Sequence, residues 1–175
     1  MIVAFDNTIL TLIFNPDAKP CIDPNTQQPV DHIKQKVDSL IDRHSSAGDT
    51  ILLPTPALSE TYSCVDDPSK LAQAISEYHC FRPAAFNNRA ALELAKVIQS
   101  ALQSGSKRSG SDEPYQKIKF DRQIVAIAKV HNAEILYTDD GTQTSFAENM
   151  GMTVVHSWEL EMSDKHAQAS MLDDD

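Results

Sequence analysis

The stretch FDRQIVAIAKVHNAEILYTDD, Phe120 to Asp140, decides the fold. It begins next to an acid, Asp121, runs through an alanine-rich, helix-like segment, passes a short β-branched run and closes on Asp139 and Asp140. The pattern predicts a helix over 121–131 and a strand over 134–137. A helix leading into a parallel strand packs antiparallel to it, so the start of the helix and the end of the strand share one edge of the sheet. Asp121 is therefore expected beside Asp139 and Asp140.

Working outward, MIVAF at the start, TILLP at 50–54 and MTVVH near the end read as further buried strands, being short, apolar and β-branched. CFRP at 80–83 reads as a brief extended piece. Between the strands lie helical patterns at 31–48, from about Pro56, at 66–78, at 86–104 and at 142–151. The segment NPDAKPCIDPNTQQPVD is a loop by its prolines and asparagines, and GSKRSGSDEP marks a flexible insertion, taken as 104–119. Strands alternating with helices imply the α/β class, a three-layer α/β/α arrangement with a central, mostly parallel sheet. One domain over 1–156, followed by an acidic, frayed tail over 157–175, is the expected organisation.

In open α/β sheets functional groups gather beyond the carboxyl ends of the strands. Asp6 directly follows the first strand, and Glu60 stands about one turn into the helix after 51–53. With Asp121, Asp139 and Asp140 they form five acids that the chain path sends to one edge. Each has an ordinary reading by itself: Asp121 as a helix N-cap, Asp139–Asp140–Gly141 as a turn, Glu60 as a solvated helix residue. The conjunction points to a cation site, because crowded carboxylates raise one another's pKa unless a cation neutralises them. Oxygen-only donors suit Mg²⁺ or Mn²⁺, and the six histidines offer no HExxH pair for zinc. Two such ions, roughly 3.5–4 Å apart in sites of this type, activate a water and stabilise a leaving oxygen.

Composition limits the alternatives. Hydrophobic residues make up 41% and charged residues 23%, ordinary globular usage. The net charge of −10, about half of it in 157–175, argues against broad nonspecific adhesion to nucleic acid. Three cysteines without CxxC spacing fit reduced thiols in a cytoplasm rather than a disulfide framework. MIVAF is a poor signal peptide, and no run approaches a membrane span.

VAFDNTIL, ILLPTPALSETY, KFDRQIVAIAKVHNAEILYTDD and AENMGMTVV together resemble the PIN-domain ribonucleases, which include the VapC toxins of toxin–antitoxin modules. The resemblance implies a PIN-like fold, a metal-dependent endoribonuclease acting on single-stranded RNA, and an acidic quartet at Asp6, Glu60, Asp121 and Asp140. Asp139 occupies the family's variable place, and Thr138 is similar to its site-orienting threonine. Asn7 and Thr8 stand in the reverse of the family's usual order. A homodimer and a small antitoxin protein are the partners the resemblance implies. Arg82, Arg89, Lys107, Arg108, Lys117 and Lys119 are candidates to line a phosphate path, with Tyr115 and Phe120 as stacking candidates, though solvated charge and core packing account for each of them. Two other readings compete. VAFDNTIL and TDDG are also similar to motifs of haloacid-dehalogenase-like phosphatases, and a non-catalytic PIN-like module binding RNA or protein is the third.

Overall fold

The computed structural model describes residues 1–103 and 114–163. Five strands form one parallel sheet in the order β3-β2-β1-β4-β5. They are β1 (Ile2–Phe5), β2 (Thr50–Pro54), β3 (Phe81–Ala84), β4 (Ile135–Tyr137) and β5 (Thr153–Val155). Val3 pairs with Ile51 on one side and Ile135 on the other, so β1 is the central strand. Its Val3, Ala4 and Phe5 are fully buried. Parallel strands covered on both faces need apolar residues at every position, and β1 and β2 supply them.

Seven helices are described: α1 (Asn7–Phe14), α2 (Ile33–Ser46), α3 (Thr55–Ser63), α4 (Pro68–Glu77), α5 (Asn88–Gln103), α6 (Tyr115–Val130) and α7 (Gly141–Asn149). They make the outer layers of the α/β/α sandwich. α3 packs against α1 and α6, and α6 also against α5 and α7. From β1 the chain builds outward to β2 and β3, then crosses back to β4 on the opposite side of β1. The strand order therefore reverses between β1 and β4, and a crevice opens beyond their carboxyl ends.

Two elements differ from the sequence reading. The helix expected over 121–131 begins at Tyr115, with Pro114 at its N-cap position. Ile118, fully buried, extends the apolar face by one turn and draws 115–119 out of the insertion and into the helix. Asp121 is accordingly in the second turn of α6 and is no N-cap. Helix α1 was not anticipated, because its short, β-branched run carries no clear helical period. Asp6 starts it by accepting the Ile9 N–H.

Residues 157–163, read from sequence as the start of a tail, lie against the body. Ser157–Glu159 form a 3-10 turn, Leu160 is buried, and the Ser163 N–H donates to Ser39. Cys21, Cys64 and Cys80 are free thiols. No helix of the described residues is long and apolar enough to cross a membrane. Lys107, Arg108 and the tail beyond 163 lie outside the described residues.

Candidate functional site

Asp6 leaves β1 at the crevice and is 1% exposed. Its Oδ1 accepts the Ile9 N–H at 3.1 Å, and its Oδ2 accepts hydroxyls from Thr138 at 2.5 Å and Thr8 at 3.2 Å. Burial pushes the carboxyl up to about 7 in spite of these donors, and the neighbouring Asp139 adds to the rise. Thr138 links the two central strands: the hydroxyl it turns to Asp6 also accepts the Asp140 N–H at 3.1 Å.

Asp140 caps α7, its Oδ1 accepting the N–H groups of Thr142 and Gln143 at 2.8 and 2.9 Å. Its Oδ2 lies 2.8 Å from Lys117 Nζ. Burial pushes this carboxyl up, but the Lys117 ammonium and the α7 amides outweigh it and the net shift is downward.

Asp121 projects from α6 and is 5% exposed. Gln143 Nε2 donates to its Oδ1 at 3.2 Å, while its Oδ2 is buried with no hydrogen-bond partner. Burial raises its pKa to about 6; the charges of Asp140 and Glu60 push the same way, against Gln143 and Lys117. Glu60 stands at the exposed rim on α3. Partial desolvation raises its pKa, Lys117 lowers it and Asp140 raises it again. Glu60, Asp121, Asp140 and Lys117 thus share one local field, and Thr138 ties that group to Asp6.

The remaining predicted residues fall into place around these. Thr8 donates to Asp6, whereas Asn7 Oδ1 accepts the Thr61 hydroxyl at 3.0 Å. The inverted Asn-Thr order therefore supports the site on two sides, Thr8 holding Asp6 and Asn7 holding the α3 turn that carries Glu60. Asp139 turns to Ser157, whose N–H and hydroxyl donate to it at 2.7 and 2.5 Å. Arg82, midway along β3, and Arg89, at the start of α5, are exposed, and neither forms an ion pair with the five acids among the described residues.

Sequence reasoning missed the closeness of Lys117 and the presence of Gln143. Lys117 precedes Asp121 by four residues, which places the two on one helix face once the helix is extended to Tyr115. Gln143 is the third residue after the cap in DGTQ, the spacing of a capping box, but its side chain reaches across to α6 instead.

Of the three buried side-chain atoms without a partner among the described residues, two belong here, Asp121 Oδ2 and Gln143 Oε1; the other is His131 Nε2. As the side chains stand, no group of three or more His, Cys, Asp and Glu among the described residues forms a cage for one ion. Lys117 and the α7 amides engage Asp140 in its place. The donor set nonetheless fits a hard divalent cation: it is all oxygen, it includes a buried carboxylate oxygen lacking a donor, and two of its acids are pushed toward neutrality.

Comparison of the sequence with protein-family models and with curated proteins gives no match. Comparison of the fold gives several. The chain is similar to one in VapBC2 from Rickettsia felis bound to a DNA fragment from their promoter, with TM-score 0.55 and 13% identity over 89% of this chain and 98% of that one. It is similar to one in VapBC-1 from nontypeable Haemophilus influenzae, with TM-score 0.54 and 13% identity over 90% and 98%. A chain of DNA-bound VapBC from Salmonella typhimurium gives TM-score 0.53 and 13% identity over 90% and 99%. VapC is a PIN-domain toxin, and the likeness at this identity is one of architecture: the chain has a PIN-like fold.

Proposed function

We propose that this protein is a divalent-metal-dependent endoribonuclease that cleaves single-stranded RNA. The observation that carries the proposal is Asp121 Oδ2, a carboxylate oxygen buried without a donor. It stands at the reversal of strand order, in the field of Glu60 and Asp140. Such an oxygen is costly in the metal-free protein and suits a cation ligand.

In this reading Asp6, Asp121 and Asp140 hold Mg²⁺ or Mn²⁺, and Glu60 at the rim positions the attacking water or helps to hold a second ion. The metal, when bound, activates water and stabilises the leaving oxygen. Thr138 fixes Asp6 against Asp140, while Thr8 and Asn7 orient the first acid and the Glu60 turn. Asp139, with both oxygens engaged by Ser157, serves as an anchor, and Asp140, which shares the field of Asp121 and Glu60, is the main ligand of the pair. A cavity of about 300 Å³ is lined by Asn7, Thr8, Thr11, Leu12 and Lys19, and reaches the acids only through Thr8, which donates to Asp6. Arg82 and Arg89 remain candidates for more distant phosphates.

The architecture shared with VapBC chains supports a small antitoxin as a partner and toxin activity as the biological role. The phosphatase alternative is disfavoured. It needs Asp6 as a nucleophile with a second acid two residues on, where this chain has Thr8, and it leaves Glu60 without a role.

The test is incubation of the purified protein with single-stranded RNA and Mn²⁺, followed by analysis of the product ends. Cleavage leaving 5′-phosphate and 3′-hydroxyl ends, abolished by Asp121→Asn, is the expected result. Undiminished cleavage by Asp121→Asn would overturn the assignment.

A further inference from the structure

The cavity of about 300 Å³ between α1 and the loop that follows it differs in charge from its surroundings. Helix α1 gives it Asn7, Thr8 and Leu12, and the loop gives it Ala18, Lys19 and Cys21. In a chain of net charge −10, none of its lining residues is acidic. Two other cavities, of about 510 and 340 Å³, carry acids in their walls: Asp49, Glu159 and Glu161 in one, Asp23 and Asp31 in the other. We infer that the α1 cavity is a subsite for one pyrimidine base of single-stranded RNA, with Lys19 at its rim for a phosphate, an inference that rests on the nuclease reading and adds the base to it.

The polar groups of the cavity are already oriented. Asn7 Oδ1 accepts the Thr61 hydroxyl at 3.0 Å and the Thr11 hydroxyl at 3.4 Å, which fixes the amide, and no described residue accepts its N–H groups. Asn7 can therefore only donate to a ligand. Thr8 gives its proton to Asp6 at 3.2 Å, so its oxygen can only accept. A donor and an acceptor on successive residues match a base edge that carries a carbonyl beside an N–H, as uracil does. Leu12, Ala18 and Cys21 supply apolar surface for the ring. The volume lies at the bottom of the range for ligand cavities, which suits one six-membered ring better than the fused rings of a purine.

The loop wall is held in place. Asn15 Oδ1 accepts the Asp17 N–H at 2.9 Å, the Asn15 carbonyl accepts the Ala18 N–H at 3.1 Å, and Cys21 Sγ lies 2.8 Å from Ser157 Oγ. Lys19 is exposed and forms no ion pair among the described residues, which leaves its ammonium for a phosphate. Thr8 belongs to both places: it lines the cavity and holds Asp6, so a base seated there lies against the residue that holds the first acid.

The experiment uses the full chain with Ala18→Leu, which fills the cavity without removing a side-chain hydrogen bond, and Lys19→Gln, each shown to be folded by its thermal melt. Anisotropy of labelled oligouridylate and oligoadenylate, without divalent metal, should show the wild type binding the oligouridylate about tenfold more tightly. Ala18→Leu should lose that preference by weakening the oligouridylate alone. Lys19→Gln should weaken both, with a plot of log affinity against log salt shallower by about 0.7, the share of one phosphate on a single strand. Oligouridylate carrying thiouridine should photocrosslink to the wild type within residues 7–21. Equal binding of the two oligomers by the wild type, a preference unchanged in folded Ala18→Leu, or crosslinks confined to other segments overturns the subsite. Should Ala18→Leu fail to fold, the crosslink and Lys19→Gln decide. Cleavage with Mn²⁺ by the wild type and Asp121→Asn, run alongside, separates the two levels. Cleavage that depends on Asp121 but comes without these base effects counts against the subsite alone, whereas absence of both binding and cleavage removes the nuclease reading and the subsite with it.

Discussion

Two polar networks are built into the same sheet, and they are finished differently. At the amino edge, His44 Nδ1 lies 2.8 Å from Asp49 Oδ2, His44 Nε2 lies 3.0 Å from the Tyr137 hydroxyl, and the Met1 amino group lies 2.7 Å from Asp49 Oδ1. Both ring nitrogens of His44 are engaged, and the Met1 amino group and His44 hold the Asp49 carboxyl below its usual range. At the carboxyl edge, one residue beyond Tyr137, Thr138 leads into a group in which Asp121 Oδ2 and Gln143 Oε1 find no donor and two carboxyls are pushed up to about 6 and 7. A buried network that serves stability is satisfied throughout. One left short of positive charge has the character of a site awaiting a ligand.

The sharpest way to break this comparison is to neutralise the unpaired acid at the carboxyl edge. Asp121→Asn should lower RNA cleavage by at least about a hundredfold, since metal-held charge stabilisation is worth several kcal/mol. At the same time it should raise the melting temperature of the metal-free protein at pH 8, because a buried unpaired charge is gone. Lost cleavage together with a lower melting temperature would mean that Asp121 is structural. The two readouts are a cleavage assay and a thermal melt.

The second prediction concerns pH. Asp6 and Asp121 have folded-state values raised above their unfolded ones, so the folded protein binds protons more tightly at these groups. Metal-free stability should therefore be fullest near pH 4 and fall as pH rises, through about 6 for Asp121 and about 7 for Asp6. The limiting slope is about 1.4 kcal/mol per pH unit for each group still titrating. A hundredfold excess of Mg²⁺ over its Kd should restore about 2.7 kcal/mol at pH 8. Denaturant melts across pH, with and without Mg²⁺, read both effects, and a metal-free curve flat from pH 4 to 8 would contradict them.

His44→Ala should act in the opposite sense. It removes a satisfied partner and leaves the buried Tyr137 hydroxyl short of one, lowering stability by about 1–3 kcal/mol without changing Mn²⁺ affinity. The smallest expected effect on the metal site is that of Asp139→Ala. Loss of the two hydrogen bonds from buried Ser157 should cost about 1–3 kcal/mol in stability and leave Mn²⁺ binding near that of the wild type. A tenfold loss of Mn²⁺ affinity in Asp139→Ala would instead make Asp139 a ligand.

Much of the architecture was legible in the sequence because its strands are short, apolar runs and its helices carry either a period or a stop. The placement of Asp6, Glu60, Asp121 and Asp140 near one edge follows from strand ends and helix starts. The start of α6 did not follow, because KIKF adjoins a run of Gly, Ser and charge that reads as loop, and only burial of Ile118 reveals the added turn. Lys117 was hidden by the same boundary, since its relation to Asp121 depends on both being helical. Helix α1 was illegible because NTILTLIF is short and β-branched and reads equally as an extended run; only Ile9, Leu10 and Leu12 are buried, Asn7, Thr8 and Thr11 lie on its half-buried side, and the Asp6 cap starts it. The split between Asp139 and Asp140 depends on Ser157, a residue the sequence assigned to the tail.

The most direct test of the central claim is calorimetric titration of the metal-free protein with Mn²⁺ at pH 6.5, repeated in buffers of different ionisation enthalpy. If Asp6 and Asp121 are partly protonated and become cation ligands, binding must release protons, and the observed heat will depend on the buffer. The account predicts saturable uptake with proton release, lost in Asp121→Asn. Uptake that is absent, or that is the same in wild type and Asp121→Asn, would contradict it.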